Sequence, residues 1–317
     1  MINELMIILA GVLWGSMGLF VRGLASYELT STEIVTIRSF GSLLFLFLIL
    51  LIKDRRLFRI KLKDIWCFIG TGIISLTFFN FCYFTTIQAT SMAVAAILLY
   101  TSPVFVVLLS ALLFGEKITP IKIIAMALAV AGCALVTLKG GAGELTGSNS
   151  SFGITGILIG IGAGVGYALY SIFGRYAINK GYPSLTITFY TMLMGTIGAS
   201  FMAPIHRIIP KLSVTIKEMD RLSAGSMPNL PILLTFVFGI VIIATILPYL
   251  LYTKGLMKVE NGKAGIMAAV EPVVAAVLGI VIFAERLGKT TIIGIVMVIG
   301  AIVLLNIKTI NIKGSRK

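Results

Sequence analysis

Residues 267–278 read MAAVEPVVAAVL, so Glu271 and Pro272 interrupt a run of apolar side chains. A charged carboxylate in such a run is costly unless it faces a cavity, meets a cation or takes up a proton. Glu271 could therefore be a site for a coupling proton or a cationic substrate group, or a hydrogen-bonded acid that satisfies carbonyl groups freed by a kink at Pro272. Small neighbours leave room for a cavity beside this carboxylate: Ala268, Ala269, Ala275 and Ala276.

Arg38 and Trp14 are two further unusual residues inside apolar runs. The Arg38 side chain could extend to the outer membrane interface, or it could pair inside the protein with an anionic substrate group or with an acid such as Glu271. Trp14 lies near the middle of its run, where it either lines a cavity or packs as an ordinary core residue.

Two pairs of polar residues have the spacing of a hydrogen-bonding wall. Asn80 and Tyr83 lie three residues apart in one run, and Tyr249 and Tyr252 have the same spacing in another. Because residues three apart share a helical face, each pair could present its polar groups to a substrate.

Long apolar runs must hold all these residues in place. The sequence of 317 residues is 58% hydrophobic and 12% charged, with a mean hydropathy of +1.06, which is typical of an integral membrane protein. The first run lacks the basic segment and cleavage site of a signal peptide, so we interpret it as a span. Crossing a bilayer takes about 20 residues. Ten runs approach this length, at 5–23, 33–52, 66–86, 92–114, 121–138, 153–174, 184–204, 232–253, 262–283 and 290–307.

The basic residues predict the orientation of these spans. With the N-terminus inside, 17 of the 26 Lys and Arg residues fall in cytoplasmic segments and 8 in outer segments, and Arg38 lies within a span. Cytoplasmic loops of membrane proteins carry such an excess, so we expect both termini in the cytoplasm and the chain in the plasma membrane. Four of the outer charges lie in 205–231, interpreted as one long loop. The excess of Lys and Arg in cytoplasmic segments also explains the net charge of +14, so the charge does not indicate a nucleic-acid partner.

The sequence contains an internal repeat. A constant offset of 169 places Pro103 on Pro272 and Glu116 on Glu285, without a gap over some forty residues. In the front part of each half, an offset of 153 places WGSMGLFVR on YALYSIFGR. Because each repeat holds five spans, an odd number, the two repeats are predicted to be inverted relative to each other. The predicted organisation is a first repeat at 1–140, a linker at 141–152, a second repeat at 153–309 and a basic cytoplasmic tail at 310–317.

The repeat pairs one intramembrane proline with another but does not pair the intramembrane acid with a second acid. Pro103 and Pro272 form a matched pair of expected kinks, which points to a binding region unless they are ordinary membrane-helix prolines. Pro248 is a third expected kink, without a proline at the matching position. At the offset of 169, Glu271 is matched by Ser102, so only the second repeat has an acid at this position. Ser102 is therefore also a candidate residue of the substrate path. Glu116 and Glu285 lie at span ends beside Lys117 and Arg286, where we expect solvated or interfacial ion pairs.

The sequence resembles the ten-span drug/metabolite transporters that are built from two EamA-type repeats. The resemblance covers almost the whole chain and rests on LWGS at residues 13–16, on Arg38, on SPVFVVLLSALLFGEKIT from Ser102 and on EPVVAAVLGIVIFAERL from Glu271. It implies an all-α membrane protein with a central cavity between the halves, which moves small organic molecules, often outward. The segment 205–231 departs from the simplest form of this pattern.

The leading functional hypothesis is a secondary transporter, an exporter working by alternating access, with protons coupled through Glu271. The alternative is a translocator of lipid-linked sugars or another non-enzymatic membrane component. An integral membrane enzyme fits poorly, because His206 is the only histidine and no Asp lies in a span. No phosphate-binding loop is present, and GIGAGVG at 160–166 lacks the spacing of a dinucleotide site. We therefore expect no metal and no cofactor, and the sequence leaves monomer and dimer equally open.

The predicted orientation can be tested by cysteine labelling. A membrane-impermeant maleimide added to intact cells should leave Lys61→Cys unmodified and should modify it once the membrane is opened, because 53–64 is predicted to be cytoplasmic. The parent chain, with its three native cysteines, measures the background. Labelling of Lys61→Cys in intact cells would reverse the orientation.

Overall fold

The computed structural model describes residues 2–138, 154–222, 229–284 and 288–314, and their regular structure is helical. The α-helices are α1 (Ile2–Gly15), α2 (Met17–Ala25), α3 (Ser31–Lys53), α4 (Ile65–Ile69), α5 (Phe78–Ala89), α6 (Met92–Leu99), α7 (Ser102–Phe114), α8 (Pro120–Thr137), α9 (Ile154–Asn179), α10 (Ser184–Met202), α11 (Ile205–Leu222), α12 (Asn229–Phe238), α13 (Leu247–Leu256), α14 (Asn261–Ala268), α15 (Glu271–Phe283) and α16 (Lys289–Gly314). Two π-helical segments, Gly70–Thr77 and Gly239–Ile246, connect α4 to α5 and α12 to α13. Short 3₁₀ turns cover Arg55–Phe58 and Leu62–Asp64.

These helices combine into ten segments that are long and apolar enough to cross a membrane. The spans are Ile2–Ala25, Ser31–Lys53, Leu62–Ala89, Met92–Phe114, Pro120–Thr137, Ile154–Asn179, Ser184–Met202, Asn229–Leu256, Asn261–Phe283 and Lys289–Asn306. The prediction of an all-α membrane protein with ten spans is confirmed. The predicted linker at 141–152 lies outside the described residues, and α16 continues through Gly314 into the segment predicted as a tail.

The two halves break their helices at matching positions. The π-helical segment at 70–77 recurs 169 positions later at 239–246, and the breaks between α6 and α7 and between α14 and α15 recur at the same offset. The left-handed residue that ends α7, Gly115 with φ 67°, is matched by Ala284 with φ 54° at the end of α15. The backbone therefore repeats the register that the sequence repeat indicates.

Pro103 and Pro272 start helices instead of bending them, since each is the second residue of a new helix after a break. Pro248 lies instead in a continuous helix, just after the π-helical segment at 239–246. A proline in the first helical turn needs no N–H donor, so it costs no intrahelical hydrogen bond there. The expected kinks at Pro103 and Pro272 are thus full interruptions of a span.

Glycines on one face of α9 allow close packing. A Cβ atom added to Gly160 would lie 2.3 Å from Leu98 Cδ1, and one added to Gly164 would lie 2.8 Å from Thr101 Oγ1. The glycine run therefore brings α9 against α6 and the break that follows it, as small residues do between membrane helices.

The segment at 205–231 is largely helical, and its interpretation as a loop is wrong for 205–222. Helix α11 packs against α3 and α12, and Lys211 Nζ donates to Glu33 Oε2 at 2.9 Å. Its inner face carries apolar residues three or four positions apart, which is the pattern of an amphipathic helix. These residues are Ile205, Ile208, Leu212, Ile216 and Met219.

Segments predicted to lie on the same side of the membrane contact each other. On the predicted inner side, Lys180 Nζ donates to Asp64 Oδ1 at 2.7 Å, and this hydrogen bond raises the pKa of Lys180. Lys263 pairs with Glu4 at 2.5 Å on the same side. On the predicted outer side, Lys211 and Glu33 are paired. The contacts are consistent with the predicted alternation of the loops.

Candidate functional site

Five aromatic side chains from three spans meet in the middle of the bundle. Trp14 from α1 lies at ring-centroid distances of 5.3 Å from both Tyr249 and Tyr252 of α13, and 6.3 Å from Tyr167 of α9. Tyr170 of α9 lies 5.0 Å from Tyr249. We call Trp14, Tyr167, Tyr170, Tyr249 and Tyr252 the aromatic box.

The aromatic box surrounds a small cavity to which both repeats contribute. Its remaining lining residues are Ser75, Leu76, Phe79 and Ser171. The cavity volume is about 20 Å³, enough for a water molecule. Sites for small organic ligands usually enclose about 300–1,000 Å³. In the described conformation the cavity is therefore too small for an organic ligand.

Two tyrosines of the box are held by hydrogen bonds. Tyr252 pairs with Ser171 at 2.8 Å between hydroxyl oxygens, and Tyr170 pairs with Thr253 at 2.7 Å. Within the described part of the chain, the Tyr249 hydroxyl has no hydrogen-bond partner. Tyr249 is therefore the tyrosine of the box with a polar group available to a ligand.

Glu271 is connected to the box through Tyr167. It is the first residue of α15, immediately after the break in its span, and the Tyr167 hydroxyl donates to Glu271 Oε2 at 3.2 Å. Its side chain is partly exposed, and its backbone carbonyl lies so close to Gly15 that an added Cβ there would be 2.6 Å away. The carboxylate hence lies beside the first span at the level of the box.

Arg38 is buried, with 4% of its surface exposed. Its Nη1 contacts the Met17 sulfur at 3.4 Å, and Tyr249 and Glu271 lie within electrostatic range of its guanidinium. Arg38 and Glu271 form no ion pair within 4.0 Å, both residues being part of the described chain. Arg38 therefore lies near Glu271 without a direct contact between the two side chains.

The remaining candidates lie outside the cavity lining. Asn80 is buried and donates from Nδ2 to the Leu76 carbonyl of its own helix at 2.6 Å. The Tyr83 ring packs 6.0 Å from Phe79. Ser102 is buried at the start of α7, at the position that Glu271 holds in α15. The structure thus brings Trp14, Tyr249 and Tyr252 together and leaves these three at the periphery.

Sequence reasoning did not select several residues that line the cavity: Ser75, Phe79, Tyr167, Tyr170 and Ser171. The repeat contains a signal for one of them. At the offset of 153, Tyr167 occupies the position of Trp14, so the two repeats place an aromatic residue at the same point on each side of the cavity.

A polar cluster closes the predicted inner side below the box. Glu116 accepts from the backbone N–H groups of Asn261 and Gly262, at 2.7 and 3.0 Å, so a carboxylate of the first repeat satisfies the free N-terminus of α14 in the second. Arg175 donates from Nε to Asn261 Oδ1 at 2.8 Å, and Lys122 pairs with Glu260 at 2.6 Å. We call Glu116, Lys122, Arg175 and Asn261 the inner lock. The ion pair expected for Glu116 is present, but its partner is Lys122, at 3.8 Å, and not the neighbouring Lys117; Glu285 and Arg286 lie outside the described residues.

Comparison with known proteins adds to this geometry. A model of the EamA-like transporter family matches residues 1–138 and 154–307. An uncharacterized transporter of Archaeoglobus fulgidus is 28% identical over 306 residues, which are 95% of this chain and 95% of that protein. The uncharacterized inner membrane transporter YicL of Salmonella typhimurium is 23% identical over 309 residues, covering 95% of this chain and 94% of its own. One crystal structure has a similar fold, with a TM-score of 0.76 at 16% identity and 96% coverage of both chains.

The link between Tyr167 and Glu271 predicts a change in stability. Tyr167→Phe should lower the free energy of unfolding by about 1–2 kcal/mol, because a carboxylate inside the bundle loses its hydroxyl donor. Tyr176→Phe is the matched control, since the Tyr176 hydroxyl has no hydrogen bond to a described residue. Urea unfolding of the purified protein in detergent measures both. Equal effects of the two variants would show that the hydrogen bond contributes nothing.

Proposed function

The chain belongs to the EamA-like transporter family, and from that premise we propose that it is a secondary transporter that carries a small organic molecule through the aromatic box by alternating access. The observation that supports this mechanism is an asymmetry between two helix pairs that are equivalent in the repeat, and we call the contact within each pair a crossing. The crossing of α7 with α14 is tightly packed, and the crossing of α6 with α15 is not.

The closed crossing joins α14 to α7 on the predicted inner side. An added Cβ would lie 3.2 Å from the Val107 side chain at Gly262 and 3.1 Å from the Val106 side chain at Gly265. The inner lock holds the end of the same crossing. Nearly every residue of α14 is buried as a result.

The equivalent crossing on the predicted outer side would join α6 to α15. In the described structure these two helices have at most marginal contact, and Ala275 on α15 is exposed. The repeat places Ala93 and Ala96 where the second half has Gly262 and Gly265, and it places Ala275 and Ala276 where the first half has Val106 and Val107. Small side chains at all four outer positions allow α6 and α15 to approach as closely as α7 and α14 do.

The described conformation is accordingly closed to the predicted cytoplasm and loosely packed toward the outside. The opposite conformation would open the crossing of α7 with α14 and close that of α6 with α15. Alternation between the two would expose the box to each side in turn, because inverted repeats can exchange their conformations about a shared site.

Glu271 is the proposed coupling group. Its carboxylate contacts the box through Tyr167, lies at a helix break and is partly exposed, so it can exchange a proton as the bundle opens. We propose that the protein exports its substrate while protons enter the cell, and that it lies in the plasma membrane. YicL of Salmonella typhimurium is named an inner membrane transporter, which supports this location.

Disulfide trapping tests whether the two crossings alternate. Gly262→Cys with Val107→Cys should form a disulfide in the described conformation, and Ala96→Cys with Ala275→Cys should form one in the opposite conformation. In a variant with all four cysteines, formation of either disulfide should prevent the other, because both crossings cannot close at once. Oxidation in native membranes followed by mass spectrometry measures the two yields. Simultaneous formation of both disulfides in one molecule would contradict alternating access.

Comparing the metabolites of a deletion strain and an overproducing strain first identifies the substrate. The coupling role of Glu271 can then be tested by transport measurements. In proteoliposomes, a pH gradient should accelerate flux through the parent by about tenfold and should have no effect on Glu271→Gln, which keeps a hydrogen-bond acceptor but cannot carry the proton. Glu218→Gln, a change at an exposed side chain of α11, is the control. A gradient that drives Glu271→Gln as well as the parent would exclude coupling through this residue.

A further inference from the structure

We infer that Arg38 binds the carboxylate of the transported molecule, which assigns the substrate to the small organic monocarboxylates. The inference rests on the proposed transport function and specifies its substrate class. It follows from an arginine that is buried without an oxygen acceptor, within electrostatic range of Tyr249 of the aromatic box.

Burial of Arg38 leaves most of its hydrogen-bonding capacity unused. The guanidinium has five N–H donors and stays charged under all ordinary conditions. Its hydrogen-bond partner in the described chain is the Met17 thioether, a weak acceptor, at 3.4 Å. Buried charges in proteins are normally paired with an opposite charge or with several polar groups. Arg38 has 4% exposure and a sulfur contact alone, so it lacks a strong hydrogen-bond acceptor. We expect the substrate to supply that acceptor.

The position of Arg38 connects it to the box. Met17, which the guanidinium contacts, follows Trp14 of the box by three residues, across the break at Ser16. Methionine side chains are flexible and readily change conformation. Tyr249, which lines the cavity and has an unused hydroxyl, lies within electrostatic range of Arg38. When Met17 moves aside, the guanidinium and the Tyr249 hydroxyl can donate to the same ligand.

The charges nearby favour a monoanion. Arg38 supplies one positive charge, and the Glu271 carboxyl lies within its electrostatic range, so the local field is too weakly positive for a dianion such as a phosphate ester. A carboxylate carries one negative charge and two coplanar oxygens, which match the two-pronged geometry of a guanidinium. The rings of the aromatic box would contact the apolar remainder of the molecule.

Fluorescence of Trp14 provides a binding test that needs no transport. The sequence has two tryptophans, Trp14 and Trp66, so Trp66→Phe leaves Trp14 as the sole reporter. The probes are 3-phenylpropionate, phenethylamine and phenyl phosphate, which share a ring and differ in charge. We expect saturable quenching by 3-phenylpropionate at a concentration about tenfold lower than for the other two, because charge-assisted paired hydrogen bonds discriminate by at least that factor.

Variants of Arg38 assign the binding to the guanidinium. Arg38→Gln should weaken 3-phenylpropionate binding by about tenfold or more, and Arg38→Lys should give an intermediate loss because it keeps the charge and loses the paired geometry. Arg207→Gln, at an exposed position of α11, should bind like the parent. Tyr249→Phe removes one hydroxyl and should weaken binding about threefold, which keeps the test valid if Arg38→Gln does not fold.

Several outcomes would overturn the assignment: no saturable quenching by 3-phenylpropionate, tighter binding of phenyl phosphate or phenethylamine, or unchanged affinity in folded Arg38→Gln. If Arg38→Gln does not fold, unchanged affinity in Tyr249→Phe overturns it. Because binding is measured in detergent without a gradient, these results are separate from the disulfide tests of alternation. A protein that alternates but does not bind the carboxylate would keep the proposed function and lose this substrate class.

Discussion

The lipid bilayer offers no hydrogen bonds to a broken helix, and this constraint determines where the site can form. A helix interrupted inside a membrane must have its free N–H and C=O groups satisfied by the protein or by an enclosed polar space. The breaks before α7 and α15 occur at residues 100–101 and 269–270, inside the bundle. Glu271 is the first residue of α15, after the second break, and its carboxylate accepts a hydrogen bond from the Tyr167 hydroxyl. The polar site therefore lies where two spans are interrupted.

The same constraint explains how one side of the molecule is sealed. The N-terminus of α14 leaves backbone N–H groups free near the predicted inner surface, and the Glu116 carboxylate from the other repeat accepts two of them. A contact between the two repeats thus holds that side together, and the proposed opening would have to break it. At the start of α6, Ser91 caps its own helix, since its hydroxyl accepts from the Val94 N–H at 3.2 Å. Glu285, which matches Glu116 in the repeat, lies outside the described residues.

The sequence predicts those features that arise from local patterns. Run lengths predict the ten spans, and proline positions together with the repeat predict the interruptions near Pro103 and Pro272. Ile208, Leu212 and Ile216 have the spacing of an amphipathic helix, but the charges and Pro210 of the same segment are also typical of a loop, so the sequence alone does not distinguish α11 from a loop. The contact between Glu116 and Asn261 joins residues 145 positions apart, and no local pattern reports it. Convergence of α1, α9 and α13 on one box likewise depends on packing, so Tyr170 could not be selected from its neighbours.

The central claim is that one aromatic site opens to either side of the membrane, and the accessibility of a cavity residue tests it most directly. Ser171 lines the cavity, so Ser171→Cys can be probed with an impermeant maleimide from each side while one helix crossing is held by a disulfide. The account predicts labelling from outside when Val107 and Gly262 are linked as cysteines, and from the cytoplasm when Ala96 and Ala275 are linked. Labelling from the same side in both trapped forms would contradict it.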